Sequence, residues 1–361
     1  KELWELVVDS ATKTAEPGLL MWDNILKYLP ANEYEDFKTE CVNPCAELPL
    51  SSYDSCRLIS LNLKNFVDNA FEDTASFDFD AFATATSAAM RLSDDLVELE
   101  LEKLENLRSI SDQPDEKVLW NKLYETCLNG RRTGLGTHGL ADAIASLSLA
   151  YDSDEAIEVI NKIYETLKLA SYRESVELAK ERGPFPAFDW EKEKDNLFIK
   201  SLPEDLQKDI ETYGRRNISI LTNAPTGSVS ILSQTSSGLE PVFRNFYIRR
   251  RKLDHSDADT APDFVDEMGD RWQEFNVYHH NLKQYMAKYS TEDIPDFFVE
   301  SDKINWMKRI EIQSVIQRHI DHSISSTINL PENTKPEVVG QLYFEGWKRG
   351  LKGITVYVDG S

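Results

Sequence analysis

The chain has few cysteines and no long apolar run. Its 361 residues include four cysteines, Cys41, Cys45, Cys56 and Cys127, with no CxxC pair and no histidine close to any of them. So few thiols exclude a disulfide-stabilised scaffold and argue against a structural zinc site. No apolar segment reaches the roughly 18 residues that a membrane span needs, and no signal peptide is recognisable. We therefore expect a soluble, cytoplasmic protein.

Basic residues are also in deficit. Lysine and arginine number 40 against 63 aspartates and glutamates, which gives a formal net charge of −23. Such a field repels nucleic acids and anionic membranes, so a general polyanion-binding role is excluded. The histidine pairs His279–His280 and His319/His322 lack the surrounding pattern of a metal site, so no metal is expected. An anionic small molecule could bind only where arginines or helix N-termini locally reverse the field.

The most informative stretch combines an amide, a thiol and a carboxylate. Asn43, Cys45 and Glu47 occupy alternate positions, and Pro44 stiffens the backbone between the first two. We expect a rigid, extended loop in which the three side chains face the same side, because side chains alternate along extended backbone. One pocket would then contain a hydrogen-bonding amide, a sulfur and a general base, with Cys56 close by. The alternative is a buried cysteine in a proline turn.

Apolar periodicity predicts long helices alternating with strands. This alternation favours an α/β architecture with a central sheet or barrel, and no linker or repeat divides the single domain at 1–361. Residues 134–139 match GxGxxG, but a helix and two arginines precede them where a dinucleotide site requires a buried strand. We interpret these glycines as allowing close packing or a tight turn. The predicted helices are 2–14, 19–29, 80–107, 116–129, 140–149 and 154–182, and the strands are 57–63, 217–221 and 353–358.

A second stretch has the form of a phosphate-binding loop. The apolar strand 217–221 leads into residues 224–230, a Pro/Gly turn with threonine and serine hydroxyls that ends at a helix start. Backbone N–H groups, the positive helix end and the hydroxyls could all donate to phosphate oxygens. An ordinary helix cap fits the spacing equally well. The flanking arginines at 215–216 and 249–251 could locally offset the acidic field, although arginine runs are usually on the surface.

Together these stretches resemble the large subunits of ribonucleotide reductases, most closely the adenosylcobalamin-dependent class II type. The resemblance implies a ten-stranded α/β barrel with a central radical-bearing finger loop and surrounding long helices, of which this chain would form the second half. The matching segments occur in the family's order and span nearly the whole chain. They are Asn-Pro-Cys-Ala-Glu-Leu-Pro-Leu at 43–50, Tyr-Asp-Ser-Cys-Arg at 53–57, Asn-Gly-Arg-Arg-Thr-Gly-Leu-Gly at 129–136, Ala-Pro-Thr-Gly-Ser at 224–228, Ser-Gly-Leu-Glu-Pro-Val-Phe at 237–243 and Leu-Lys-Gly-Ile-Thr-Val-Tyr at 351–357.

The resemblance also implies roles for individual residues in the reduction of ribonucleotides to 2′-deoxyribonucleotides for DNA synthesis. Cys45 matches the thiyl-radical position that abstracts the ribose 3′ hydrogen, and Glu47 matches the general base for the 3′-hydroxyl. Asn43 matches the amide that orients the substrate hydroxyls. Cys56 matches one of two cysteines that supply reducing equivalents as the 2′-hydroxyl leaves as water. The implied substrate-binding residues are Pro44, Ala46, Pro225, Thr226, Gly227 and Ser228.

One position departs from the class I enzymes, which depend on a separate radical subunit. Where those enzymes have two adjacent tyrosines near the C-terminus, this chain has Val356–Tyr357. The resemblance therefore implies adenosylcobalamin as the cofactor. It also implies that the N-terminal half of the barrel and the C-terminal redox tail are absent. Activity would then require a complementary N-terminal chain or a homo-oligomer, and a thioredoxin-like or dithiol reductant. The alternatives are a class I subunit with a metal-radical partner, and an inactive half-chain that only binds its complement.

Overall fold

Two long helices, each of about 30 residues, stand out in the computed structural model, which describes residues 1–257 and 259–361. Side-chain caps fix where the two longest begin: Asp78 accepts a hydrogen bond from the Ala81 N–H, and Ser153 accepts one from the Ala156 N–H. The predicted helices at 80–107 and 154–182 are thereby confirmed. The α-helices of the described residues are α1 Glu2–Thr14, α2 Trp22–Tyr28, α3 Phe79–Ile110, α4 Pro114–Gly130, α5 Leu140–Ser146, α6 Asp154–Arg182, α7 Trp190–Glu193, α8 Leu197–Lys200, α9 Glu204–Tyr213, α10 Gly227–Ser233, α11 His280–Tyr289, α12 Trp306–Gln317 and α13 Pro336–Lys348.

The strands are short and fall into several small sheets. Two of the predicted strands, those near 57–63 and 353–358, are confirmed as β4 and β12. The segment 217–221 is buried, and the structure assigns only single β-bridges to its end and to the residues that follow. The strands of the described residues are β1 Leu19–Leu20, β2 Cys41–Val42, β3 Pro49–Leu50, β4 Arg57–Asn62, β5 Val67–Asp68, β6 Ser76–Phe77, β7 Thr133–His138, β8 Phe246–Lys252, β9 Phe264–Val265, β10 Arg271–Tyr278, β11 Thr327–Leu330 and β12 Gly353–Val358.

Successive chain segments run parallel and form one wall. Its members, in order, are β4, β7, residues 221–223, residues 324–330 and β12. β4 pairs with β7 along its whole length. Parallel bridges continue the wall from Leu135 to Leu221 and from Asn223 to Ile324, and β11 then pairs in parallel with β12. Neighbours in this wall follow one another in the chain with helices between them, as in α/β barrels. The largest hydrophobic core lies behind the wall, where α3, α5 and α6 pack against β7.

The wall is open within residues 1–257 and 259–361. At one edge β1 pairs antiparallel with β12, and at the other edge β4 pairs only with β7. The α/β class is confirmed, whereas the ten-stranded barrel stays a prediction. Within the same residues, every helix is too short or too polar to cross a lipid bilayer.

Two glycines of the GxGxxG match, Gly134 and Gly136, belong to β7, and the third, Gly139, is the residue that caps the start of α5. All six residues of β7 are buried. A Cβ atom at position 134 would lie 2.6 Å from Cys56 Sγ, and one at position 136 would overlap the carbonyl oxygen of Thr222. The interpretation of close packing is confirmed at Gly134 and Gly136. The tight turn is confirmed at Gly139, whose positive φ of 74° joins β7 directly to α5.

A pair of arginines expected to offset the acidic field is buried instead. Arg215 donates hydrogen bonds of 2.9 and 2.6 Å to the carboxylate of Glu193, and both side chains are fully buried. Arg216 is paired with the buried carboxylate of Asp94 and with the partly exposed carboxylate of Glu98. The suggestion that residues 215–216 supply free positive charge near the phosphate loop is therefore wrong, because internal carboxylates neutralise both guanidinium groups. Residues 249–251 are exposed on β8.

Asp94 of α3 is the centre of a buried charge cluster. Its carboxylate is 0% exposed and accepts hydrogen bonds from Arg131 (3.0 and 2.8 Å), Arg182 (3.1 Å), Arg216 (3.3 Å) and Asn217 (3.1 Å). These donors come from the end of α4, from α6 and from the segment that runs beside β7. One carboxylate thus connects three parts of the chain behind the wall.

Candidate active site

The stretch 43–47 forms the tip of a hairpin. β2 and β3 pair antiparallel on either side of it. The N–H of Ala46 donates to the carbonyl of Asn43 (2.9 Å), and Ala46 has a positive φ of 65°. The side-chain oxygen of Asn43 accepts a hydrogen bond from the Leu48 N–H at 3.0 Å. The hairpin therefore turns tightly at residues 43–46 and is stabilised by its own asparagine.

This geometry corrects the expectation of an extended loop with three side chains on one side. A turn at 43–46 breaks the alternation on which that expectation depended. Cys45 is exposed at the tip, whereas Glu47 is 2% exposed. The oxygen of the Asn43 side chain faces the loop's own backbone. The expectation of an extended loop is wrong. The three groups are adjacent in the hairpin, and their convergence on one pocket stays a prediction.

Glu47 connects the hairpin to the parallel wall. Its backbone carbonyl accepts hydrogen bonds from the Thr222 hydroxyl (2.8 Å) and the Ser323 N–H (3.0 Å). Its carboxylate oxygen Oε2 is buried and has no hydrogen-bond partner among the described residues. A buried carboxylate oxygen without a partner is costly unless a ligand or water satisfies it. This oxygen is thus available to accept a proton from a bound molecule.

Glu47 and the expected phosphate loop line one cavity. The cavity has a volume of about 380 Å³ and lies between β4, β7 and the segment 222–229. Of the residues expected in the site, Glu47, Pro225, Thr226 and Gly227 contribute to its lining. Those that do not line it are Asn43, Pro44, Cys45, Ala46, Cys56 and Ser228. The full lining is Glu47, Leu58, Ile59, Ser60, Gly134, Gly136, Thr137, Thr222, Ala224, Pro225, Thr226, Gly227 and Val229.

The loop before α10 has the features of an anion cradle. Thr226 adopts a left-handed conformation with φ 54°, and its hydroxyl accepts a hydrogen bond from the Gly238 N–H at 2.8 Å. A Cβ atom at Gly227 would meet nothing within 4 Å, so the backbone there is open to a ligand. The first N–H groups of a helix have no partner within the helix. The loop can therefore present backbone donors and a hydroxyl to an anion in the cavity.

Cys56 lies immediately before β4 and against the cavity wall. Its sulfur would be 2.6 Å from a Cβ atom at Gly134, which lines the cavity. Burial raises the pKa of the Cys56 thiol to about 12, although Arg132 and Arg57 oppose the shift. Cys56 is therefore a protonated thiol at neutral pH and can serve as a proton donor.

The four thiols are expected to react at very different rates. Cys41 and Cys45 are exposed, whereas Cys127 is buried, receives a hydrogen bond from Arg57 (2.8 Å) and has its pKa raised to about 11 by burial. In the native protein at pH 8, iodoacetamide should label Cys41 and Cys45 first, as read by peptide mass spectrometry. Labelling of Cys56 should be slow and should rise about tenfold per pH unit up to pH 10, because its thiolate fraction rises by that factor. Equal labelling of all four thiols at pH 8 would contradict these environments.

Sequence reasoning missed several residues of the cavity. Ser60, Thr137 and Thr222 line it, and none of them stood out in the sequence. The available signal was the spacing from Cys56, because Leu58 and Ser60 follow it at alternate positions of β4 and so share one face. Cys41 is exposed on the hairpin, and nothing in the structure explains its presence.

Comparisons with known proteins show the family and the fold of the chain. A family model described as "Ribonucleotide reductase, barrel domain" matches residues 1–357. The chain is similar to the alpha subunit of a class Id ribonucleotide reductase from Actinobacillus ureae, with a TM-score of 0.70 and 21% identity, over 100% of this chain and 61% of that one. At that identity the likeness shows the fold alone.

Curated relatives match the full chain. Proteins named vitamin B12-dependent ribonucleoside-diphosphate reductase from Thermoplasma acidophilum and Mycobacterium tuberculosis are each 29% identical over 100% of this chain. The match covers 43% of the first protein and 47% of the second. A protein from Neurospora crassa named ribonucleoside-diphosphate reductase large chain is 28% identical over 99% of this chain and 38% of its own length. The chain thus spans less than half the length of these relatives.

Proposed function

Since the chain belongs to the ribonucleotide reductase barrel-domain family, we propose that it is the catalytic chain of an adenosylcobalamin-dependent enzyme that reduces ribonucleotides to 2′-deoxyribonucleotides. The observation that carries this proposal is that Glu47 and the loop 225–227 line one cavity. An acidic group for the sugar and donors for the phosphates are thereby available to one nucleotide. The names of the relatives from Thermoplasma and Mycobacterium support the cofactor and a diphosphate substrate.

Each residue of the site has a definite task in this proposal. Residues 225–228 hold the substrate phosphates, and the Asn43 amide orients the ribose hydroxyls. Pro44 and Ala46 shape the hairpin tip against the substrate. This arrangement places the reacting sugar next to the carboxylate of Glu47, where proton transfer needs only a short, fixed distance. The large acidic excess of the chain makes such local donors necessary for an anionic substrate.

The proposed chemistry balances with the thiols of the site. The Cys45 sulfur radical takes the hydrogen atom from C3′, and Glu47 takes the 3′-hydroxyl proton. The Cys56 thiol donates a proton to the 2′-hydroxyl, which leaves as water. Cys56 and a second cysteine outside residues 1–361 supply two electrons and become a disulfide, and the hydrogen of the second thiol goes to C2′. Glu47 returns its proton to the 3′-oxygen, and Cys45 returns its hydrogen atom to C3′. A dithiol or thioredoxin-like protein then reduces the disulfide.

Residues beside the site fit a large, partly apolar cofactor. A second cavity of about 680 Å³ adjoins the first, and both are lined by Pro225 and Gly227. On α10, Ile231 and Leu232 are 78% and 85% exposed. Of the two, Ile231 lines the second cavity, and with nearby hydroxyls such as that of Ser237 it could contact the corrin ring and its amide groups. Adenosylcobalamin, when bound, supplies the one-electron oxidant for Cys45.

The open edge of the wall supports a requirement for a complementary barrel segment. β4 pairs only with β7 among the described residues, and Leu58 of β4 is 47% exposed. An unpaired strand edge with exposed apolar side chains favours pairing with another strand. We propose that residues 1–361 act as one domain that is completed by an N-terminal barrel segment, carried by the same or by a separate polypeptide, or by assembly with another copy.

The test is product formation from defined components. The chain, together with the complementary barrel segment, should convert a ribonucleoside diphosphate to the deoxy product when adenosylcobalamin and a dithiol are present. Omission of any of these components should reduce product to background. Tight binding of the segment with no product from the complete mixture would identify the chain as an inactive half that only binds its complement, and the proposal would fail.

A further inference from the structure

A histidine connects the cavity wall to the helix behind the phosphate loop. Ser60 Oγ, in the cavity, lies 2.8 Å from His138 Nδ1, and His138 Nε2 lies 3.1 Å from Ser233 Oγ at the end of α10. His138 is the last residue of β7 and is 4% exposed. Burial lowers the pKa of His138, so its ring is neutral at pH 7 and donates one hydrogen bond while it accepts another.

The single hydrogen of the Ser233 hydroxyl can go to the Val229 or Ser230 carbonyl, 2.9 and 3.3 Å from Oγ, or to His138 Nε2 at 3.1 Å. We take the arrangement in which this hydrogen goes to His138. Thr235 Oγ1 lies 2.9 Å from Ser233 Oγ and has no other side-chain partner among the described residues. If Thr235 donates to Ser233, then Ser233 can donate to His138 Nε2. The ring proton is then on Nδ1 and is donated to Ser60 Oγ. The hydrogen of the Ser60 hydroxyl has no acceptor among the described residues and can point into the cavity.

We propose that Ser60 is an additional phosphate-binding residue of this site and that His138 positions its hydroxyl. The inference rests on the proposed function, because the phosphates are those of the ribonucleotide substrate. Ser60 lines the same cavity as Thr226 and Gly227 of the phosphate loop. Phosphate oxygens only accept hydrogen bonds, so a hydroxyl oriented as a donor suits them. A neutral ring with both nitrogens engaged holds that orientation before the ligand binds.

Nucleotide binding tests the role of Ser60 without the cofactor. Calorimetry compares a ribonucleoside diphosphate with the corresponding ribonucleoside, using the chain together with its complementary barrel segment. Ser60→Ala should weaken diphosphate binding about tenfold, because a hydrogen bond to a charged group is lost, and should leave nucleoside binding unchanged. Ser109→Ala, which changes an exposed serine of α3, is the matched control and should alter neither affinity.

Two substitutions of His138 separate positioning from simple packing. The side-chain amide of asparagine reaches the place of Nδ1, whereas that of glutamine reaches the place of Nε2. The measured quantity is the nucleoside Kd divided by the diphosphate Kd. In His138→Asn this ratio should stay within about twofold of the wild-type value. In His138→Gln it should fall about as far as it does in Ser60→Ala. A general folding defect weakens both ligands together and leaves the ratio unchanged.

The outcomes distinguish this inference from the proposed function. An unchanged diphosphate Kd in Ser60→Ala would overturn the inference. An equal loss of nucleoside binding would also overturn it, because Ser60 would then contact the sugar or the base. If the wild-type chain forms product and Ser60→Ala leaves the diphosphate Kd unchanged, the proposed function stands and the inference fails. Binding with the expected ratios but no deoxyribonucleotide product contradicts the function and supports the inference.

Discussion

Replacing Cys45 with serine is expected to reduce deoxyribonucleotide formation to the background of the assay while ribonucleotide binding stays within about twofold of wild type. The proposed reaction needs a sulfur atom that can lose and regain a hydrogen atom, and a serine hydroxyl does not form the corresponding radical under the same conditions. Cys45 is exposed at the hairpin tip, so the exchange of sulfur for oxygen should leave the fold intact. Product is measured by chromatography and binding by calorimetry.

The same hairpin offers a matched control. Cys41 is also exposed and lies in β2, four positions before Cys45 in the sequence. Cys41→Ser should therefore turn over at close to the wild-type rate. If Cys45→Ser formed product as fast as Cys41→Ser, the assignment of the radical position would be wrong.

Replacing Asp94 with alanine is expected to lower the free energy of unfolding by about 3–5 kcal/mol, since removal of one partner leaves buried charges uncompensated. The fully buried carboxylate accepts hydrogen bonds from Arg131, Arg182, Arg216 and Asn217. Arg131 and Arg216 also contact Glu98, which limits the loss but lies partly in solvent. Destabilisation should be general, because the cluster connects α3, α6 and the segment beside β7.

Urea unfolding followed by tryptophan fluorescence and circular dichroism measures this effect. The control is Asp205→Ala, which breaks the exposed ion pair with Arg173 (2.7 Å) and should cost less than about 1 kcal/mol. The two probes should give coincident transitions for the comparison to hold. Equal midpoints for Asp94→Ala and Asp205→Ala would show that the buried cluster does not stabilise the fold.

Local signals in the sequence were sufficient for the two longest helices. The helices at 80–107 and 154–182 were predicted from apolar spacing and end signals, which are local to each segment. The glycines at 134 and 136 were correctly linked to close packing but not to a strand. Their neighbours, Cys56 and Thr222, come from other parts of the chain. Only the folded wall shows that β7 is extended there.

The arrangement of the site depended on contacts that are distant in sequence. The motif at 43–47 indicated chemistry, but the turn that exposes Cys45 and buries Glu47 is fixed by the bond from Leu48 to Asn43 and by Thr222. The buried position of Arg215 likewise depends on Glu193, 22 residues away. His138 was missed because a single histidine carries no spacing signal, and Ser60 was missed because only its spacing from Cys56 pointed to it.

The dependence of product formation on adenosylcobalamin tests the central claim most directly. The chain is assayed with its complementary barrel segment, a dithiol and a ribonucleoside diphosphate, with and without adenosylcobalamin. Our account predicts deoxyribonucleotide only in the presence of the cofactor, consistent with the single tyrosine at Val356–Tyr357. Product formed without cobalamin, on addition of a metal-radical partner protein alone, would contradict it.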